Sequence, residues 1–181
     1  MTQEPLLDAV EGTGPDGGGG LLGDVDFALA AYREDGAWQV QELPAQRADD
    51  LPTFAAELRR WPGEAGCLGM VSVDEDFFVV VRVAGAQVRV LLSDVTAATD
   101  WPLARSALVQ LELPVPDDED DPVPAGDPGI VADLGMPARD MGALLDDDDQ
   151  YPDEALGEIA RRLGFGELYD EVVGVPGGVA P

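Results

Sequence analysis

The sequence predicts an α+β protein: a five-stranded antiparallel sheet in the order β-β-α-β-β-β-α, followed by a set of short C-terminal helices. Three observations predict it. The stretch Cys67–Leu92, CLGMVSVDEDFFVVVRVAGAQVRVLL, holds three short apolar runs rich in Val, Phe, Leu and Met, a composition that suits strands buried on at least one face. An Asp35-Gly36 pair separates two further strand-like runs, which is a strong hairpin signal. Between these two groups of strands, Leu51, Phe54, Ala55, Leu58 and Trp61 recur at helical spacing.

Taken in order, residues 1–23 are rich in Gly, Pro and Asp and include Gly17 to Gly20, so they read as a flexible tail that cannot offset its ordering entropy. From Val25, Phe27, Leu29 and Ala31 alternate with Asp26, Ala28 and Ala30, and the run ends at Asp35-Gly36 before Trp38-Gln39-Val40-Gln41. Asp49 and Asp50 offer N-cap oxygens to the first helix, Pro52 suits its first turn, and Pro62-Gly63 stops it; Glu57, Arg59 and Arg60 fall on the side away from the apolar stripe.

In the central stretch, a two-residue turn at Ala84-Gly85 sets Val83 opposite Ala86, Val81 opposite Val88 and Val79 opposite Val90. Val79, Val81, Val83, Val88, Val90 and Leu92 then share one face, with Arg82, Gln87 and Arg89 on the other; a slip by one residue would bury both arginines. Ser93 to Asp100 reads as a polar connection. Asp100 can cap a helix beginning at Trp101-Pro102, whose buried face would carry Trp101, Ala104, Ala107, Leu108 and Leu111.

Residues 115–128, VPDDEDDPVPAGDP, form a self-repelling acidic loop. Apolar periodicity returns from Gly129. Ile130, Val131 and Leu134 make a short element, and Pro137 opens a helix with Met141, Leu144 and Leu145. After Asp146 to Asp149, Pro152-Asp153-Glu154 starts a second helix with Leu156, Ile159, Ala160 and Leu163 as its stripe and Gly164 as a left-handed C-cap. A last helical turn spans residues 167–173. The organisation is a tail (1–23), an α+β core (24–113), an acidic loop (114–128), a helical segment (129–173) and a flexible tail (174–181). The order of the core elements also occurs in profilin-like and longin-like domains, an analogy that by itself carries no function.

Composition narrows the function classes. The chain has 181 residues and a net charge of −27, from 37 acidic side chains against 10 basic ones, all of them Arg; there is no Lys and no His. Phosphate affinity comes largely from Lys and Arg, so direct binding to nucleic acid or to an anionic membrane is disfavoured, and a partner with a basic surface is favoured. No apolar run approaches the ~20 residues of a membrane span. The N-terminus has no basic n-region with an apolar core, so the expected location is cytoplasmic.

Catalytic chemistry is hard to find. Without His, the commonest general base, most zinc ligand sets and the usual Ser-His or Cys-His nucleophile pairs are absent. Cys67 is the single cysteine; it sits among apolar neighbours with no adjacent cation, and reads as a buried structural thiol. The glycines of Trp61–Gly69 lack both the P-loop and the GxGxxG spacing. The acidic runs at 117–121 and 146–149 could hold a hard divalent cation, but starting an EF-hand loop at Asp146 puts Tyr151 where its glycine belongs and Gly157 where its bidentate Glu belongs. Solvated acidic faces are the simpler reading, and no cofactor, metal ligand or catalytic residue is assigned. A pair of carboxylates for glycoside hydrolysis would have to converge in space and leaves no mark in sequence. Trp101 fits either a core or an interface position, and Tyr151, beside an acidic run, fits a contact surface.

Two stretches together carry a family likeness. LLSDVTAATDWPLA (Leu91–Ala104), then GIVADLGM and MGALLDDDDQYPDEALGEIARRLGFG (from Gly129 to Gly166), resemble the tRNA adenosine deaminase-associated proteins of actinobacteria, and the resemblance runs from Val25 to Val173. It implies a gene beside that of a tRNA adenosine deaminase, and so that deaminase as partner. A zinc deaminase needs H-x-E with P-C-x-x-C. This chain has no His and one Cys, so it is expected to be a non-enzymatic accessory protein that docks on the enzyme. The partner-binding residues expected on this reading are Asp94, Asp100, Trp101, Asp146, Asp147, Asp148, Asp149 and Tyr151. A stand-alone domain for a small molecule or divalent metal, or an acidic mimic of nucleic acid, are the alternatives. The oligomeric state is open.

Overall fold

The structure is a computed structural model that describes residues 25–174 apart from 62, 64, 65, 118 and 148. Residues 1–23 and all but the first residue of the expected C-terminal tail lie outside that set. Strands β1 (Val25–Glu34), β2 (Ala37–Leu43), β3 (Cys67–Val73), β4 (Phe77–Ala84), β5 (Gln87–Leu92) and β6 (Ala125–Gly126) form one antiparallel sheet in the order β2-β1-β3-β4-β5-β6. Helices α1 (Leu51–Leu58) and α2 (Pro102–Gln110) cover one face; α3 (Ala138–Leu145), α4 (Pro152–Leu163) and α5 (Gly166–Val173) cover the other.

The α+β antiparallel class is as expected, but the sheet has six strands among the described residues, not five. The extra strand is only two residues long, too short to show a period of two, and it falls inside the acidic stretch. Gly126 makes it possible. Its φ of +111° and a virtual Cβ only 2.2 Å from the Val90 carbonyl oxygen leave no room for a side chain against β5.

The turns explain the register. Asp35 and Gly36 both take positive φ, 56° and 80°, the conformation of a two-residue hairpin turn, and Glu34 pairs with Ala37 as the sequence implies. The second hairpin is corrected by one turn position: Gly85-Ala86 turns, Ala84 pairs with Gln87, and Val83, Val81 and Val79 face Val88, Val90 and Leu92. A shift of two in the pairing keeps every side chain on its expected face.

Helix α1 rests directly on β3 and β4, α4 does so from the opposite face, and α2 packs beside α1 against β5. Asp50 caps α1, its carboxylate accepting the Thr53 N–H at 2.8 Å. A Cβ on Gly69 would lie 2.6 Å from the Phe54 ring and 2.7 Å from a Leu58 methyl, so the bare backbone of β3 is what lets α1 sit so low. Glu57, expected away from the core, is buried, with Arg60 at 3.2 Å and Arg47 at 3.6 Å beside it. Asp100 does not cap α2; Trp101 occupies the N-cap with no side-chain bond. At the other end of α2, Glu112 takes φ 61° while its N–H and that of Leu113 close on the Val109 and Leu108 carbonyls.

The opposite face holds the largest difference from expectation. Arg82 does not face solvent: α3 to α5 and the segment before them roof the sheet over it, and it is 6 % exposed. Its guanidinium donates to both carboxylate oxygens of Asp133, one at 2.8 Å, and to the Ile130 carbonyl at 2.9 Å. Arg89, directly opposite on β5, donates to Asp127 and, at 3.1 Å, to the Gly129 carbonyl.

Candidate functional site

At the end of the sheet marked by the β3–β4 turn, several short segments meet around an open cleft of about 500 Å³. Glu75, Asp76, Asp94, Asp147 and Asp149 line it, with Tyr151 and Gln150 on the α4 side and Pro122 and Pro124 across from them. Each is placed by local chemistry. Asp74 and Glu75 both take positive φ, 48° and 64°, and the Asp76 N–H closes the turn on the Val73 carbonyl at 2.8 Å. Asp94 lies just beyond β5 and caps the 3-10 turn Val95–Thr99, accepting from the Thr96 N–H at 2.8 Å and the Thr96 hydroxyl at 2.6 Å. The Asp149 N–H donates to Asp147 at 3.1 Å. The Tyr151 N–H donates to Glu154 at 3.0 Å, which fixes the start of α4 and leaves the tyrosine side chain half in solvent, 53 % exposed.

The acids here feel one another. The Asp76 carboxyl is raised above the ordinary 3.8, first by partial burial and then by the negative charges of Asp74, Asp94, Asp100 and Glu75. Asp26 is raised too, mainly by burial, against a hydrogen bond from the Ser72 hydroxyl at 3.3 Å that pulls it down; Asp74, Asp153 and Glu75 add to the rise. Carboxylates from the start of β1, the β3–β4 turn, the end of β5, the following 3-10 turn and the first turn of α4 thus form one electrostatic cluster. Among the described residues none of them has an arginine within ion-pair distance; the ion-paired acids are Glu57, Asp127, Asp133, Asp140 and Glu158.

Of the residues expected from sequence, Asp94, Asp147, Asp149 and Tyr151 line the cleft, and Asp100 is exposed within electrostatic reach of Asp76. Asp146 is exposed at the C-cap of α3, and Asp148 lies outside the described residues. Trp101 is buried, its ring 6.0 Å from that of Phe77, whose residue in turn lines the cleft. Sequence reasoning did not include Asp26, Glu75, Asp76 or Asp153. The Asp74-Glu75-Asp76 break between two apolar runs was the available signal for the middle pair.

Chemically the cleft is lined largely by acidic and polar groups. Its groups are ionised oxygens and an aromatic ring, suited to charge-assisted hydrogen bonds with guanidinium or ammonium groups. No group of three or more His, Cys, Asp or Glu among the described residues is arranged to hold a metal ion. The Cys67 thiol is buried and pushed up to about 12 by desolvation, far from a nucleophile's range. No helix among the described residues is long and apolar enough to cross a membrane.

The fold and this site define an acidic α+β protein with a cluster of carboxylates at one end of its sheet. The family model for Rv3753c-like tRNA adenosine deaminase-associated proteins matches residues 26–166, and the chain belongs to that family. It is 39% identical over 150 residues to protein Rv3753c of Mycobacterium tuberculosis (strain ATCC 25618 / H37Rv), an alignment that covers 81% of this chain and 87% of that one. No solved structure matches, and the profilin-like or longin-like analogy has no support.

Proposed function

We propose that this chain is a non-catalytic accessory protein that docks on a tRNA adenosine deaminase, presenting the acidic end of its sheet to the enzyme's basic, tRNA-facing surface. The observation that carries the reading is the convergence of carboxylates without arginine partners, Glu75, Asp76, Asp94, Asp147 and Asp149, around one opening, with Tyr151 exposed beside it and Asp26 within electrostatic reach of Glu75. Membership of a deaminase-associated family supports a tRNA adenosine deaminase as that partner. Asp100 and Asp146 add exposed carboxylates, Asp148 belongs to the same acidic run in sequence, and Trp101 acts from beneath by holding Phe77.

Such a surface speeds encounter with a basic partner and loses affinity as salt screens it. The test is a titration against the deaminase at low and high ionic strength, with and without tRNA. Affinity should fall with salt and tRNA should compete. Replacing Glu75, Asp76, Asp147 and Asp149 together by their amides should weaken binding by about tenfold or more. No binding at low ionic strength overturns the proposal.

A further inference from the structure

The two edges of the sheet are finished differently. At β5, the strand β6 pairs with Leu91 and Leu92, the Asp127 N–H donates to the Val90 carbonyl at 3.2 Å, and the Gln110 side chain reaches the Val88 carbonyl at 3.4 Å. At β2 nothing comparable is present among the described residues. The Asp35-Gly36 turn makes Glu34 and Ala37 the hydrogen-bonded pair that closes the hairpin. Alternation then gives the ladder bonds to Gln39 and Gln41, and turns the N–H and C=O of Trp38, Val40 and Glu42 outward. Among the described residues nothing bonds to those outward groups. The strand has no proline, no lysine and no bulge in its pairing with β1, and its one charged side chain is Glu42.

Its sequence is close to symmetric about Val40: Trp38-Gln39-Val40-Gln41-Glu42. We propose that this edge is closed by the same edge of a second copy of the chain, β2 running antiparallel to β2 about a twofold axis through Val40. That register pairs Val40 with Val40, Gln39 with Gln41 and Trp38 with Glu42. It also matches charges. Arg33 lies opposite Trp38 on β1, its guanidinium carbon 5.7 Å from the centre of the indole, with no carboxylate partner among the described residues. Glu42 is exposed and likewise has no ion pair. The twofold axis sets Glu42 of the second copy beyond Trp38 on the same sheet face, with Cα atoms about 10 Å apart, so that the two long side chains can meet across the indole, twice per dimer.

A strand-to-strand junction of this length is a small interface, so the dimer is weak and concentration-dependent. Two copies that each carry −27 repel, and salt screens that repulsion. Self-association should therefore tighten with salt, whereas docking on a basic surface loosens, so the two proposals fail separately.

The experiment is sedimentation velocity of the full chain over a wide concentration range at low and high salt. A salt-strengthened monomer–dimer equilibrium is expected. Val40→Pro should abolish it and leave the fold intact, because the Val40 N–H takes no part in the β1–β2 ladder. Arg33→Glu should weaken it by about tenfold or more, and Arg33→Glu combined with Glu42→Arg should restore it, which keeps the test decisive if the proline variant fails to fold. A monomer at every concentration in high salt overturns the inference. So does a dimer indifferent to the charge swap, and so does hydrogen-exchange protection of the Trp38, Val40 and Glu42 amides that arises only when the deaminase is added, which would assign the edge to that protein.

Discussion

Arg82 and Arg89 stand directly opposite one another on β4 and β5, and each is held by an aspartate of the same short segment, Asp133 for Arg82 and Asp127 for Arg89. Two like charges at a cross-strand position would repel. Here the repulsion is offset because each guanidinium is neutralised from above, and the segment carrying the aspartates is thereby tied to the sheet. The roof formed by α3 to α5 begins at this point.

The pair at Arg82 is asymmetric: its side chain is 7% exposed and that of Asp133 is 60%. Removing the aspartate takes the carboxylate away from a buried guanidinium, while removing the arginine leaves an acid that water can reach. Asp133→Ala should cost about 2 kcal/mol, whereas Arg82→Met, of similar length and apolar, should cost less than about 1 kcal/mol. Urea titrations of both single variants and the double variant measure this. Equal costs for the two single changes would contradict the asymmetry.

The pH response has two parts with opposite signs. Asp133 is lowered below 3.8, mainly by the hydrogen bond from Arg82, so its contribution is present at neutral pH and is lost as pH falls through that lowered value. Asp26 and Asp76 are raised, so their ionisation costs stability as pH rises from 3.8 through their folded values. Stability should therefore improve on mild acidification from neutral pH, then fall below 3.8. Asp76→Asn should raise the melting temperature at neutral pH, and its advantage should vanish on approaching 3.8. A neutral-pH melting temperature for Asp76→Asn at or below that of the parent would show that the acidic end carries no such penalty.

The contrast between Asp35-Gly36 and Arg82 shows what the sequence made legible. A turn at Asp35-Gly36 is written in residues that adopt positive φ, and both flanking strands follow from it within a few positions. The face of β4 and β5 is equally local, which is why misplacing the Ala84–Ala86 turn by one position did no harm to it. The burial of Arg82 depends on Asp133, 51 residues further on, and no pattern around Arg82 announces a roof. The acidic cleft divides the same way. Asp94 and Tyr151 stand out beside capping and charge signals, but Asp26 and Asp153 join the cluster only because β1 and α4 begin near the same turn.

Gly69 gives a packing test. Its missing side chain is the space occupied by the Phe54 ring and a Leu58 methyl. Gly69→Ala should destabilise by about 1–3 kcal/mol as α1 is pushed off the sheet. Pairing it with Leu58→Ala, which opens space at the same contact, should recover part of the combined loss, a non-additivity that a double-variant denaturation cycle reads directly. Strict additivity would mean that α1 does not rest on β3 at this point.

Cys67 tests the same layer without altering it. The residue is 2% exposed at the start of β3, in the core beneath α1 and α2, and its thiol is pushed up to about 12 by burial alone. Thiolate is the reactive form, so at neutral pH the folded protein should hold almost none, and a disulfide reagent should react only through molecules that have opened. In denaturant the same thiol should react at the rate of a free cysteine. Labelling rates measured across a urea series should consequently track the unfolding free energy. Asp133→Ala should accelerate labelling at low urea if release of the α3–α5 roof opens the whole sheet, and should leave it unchanged if that roof lifts while α1 and α2 stay in place. Rapid labelling of the unmodified protein in the absence of urea would contradict the burial of β3 itself.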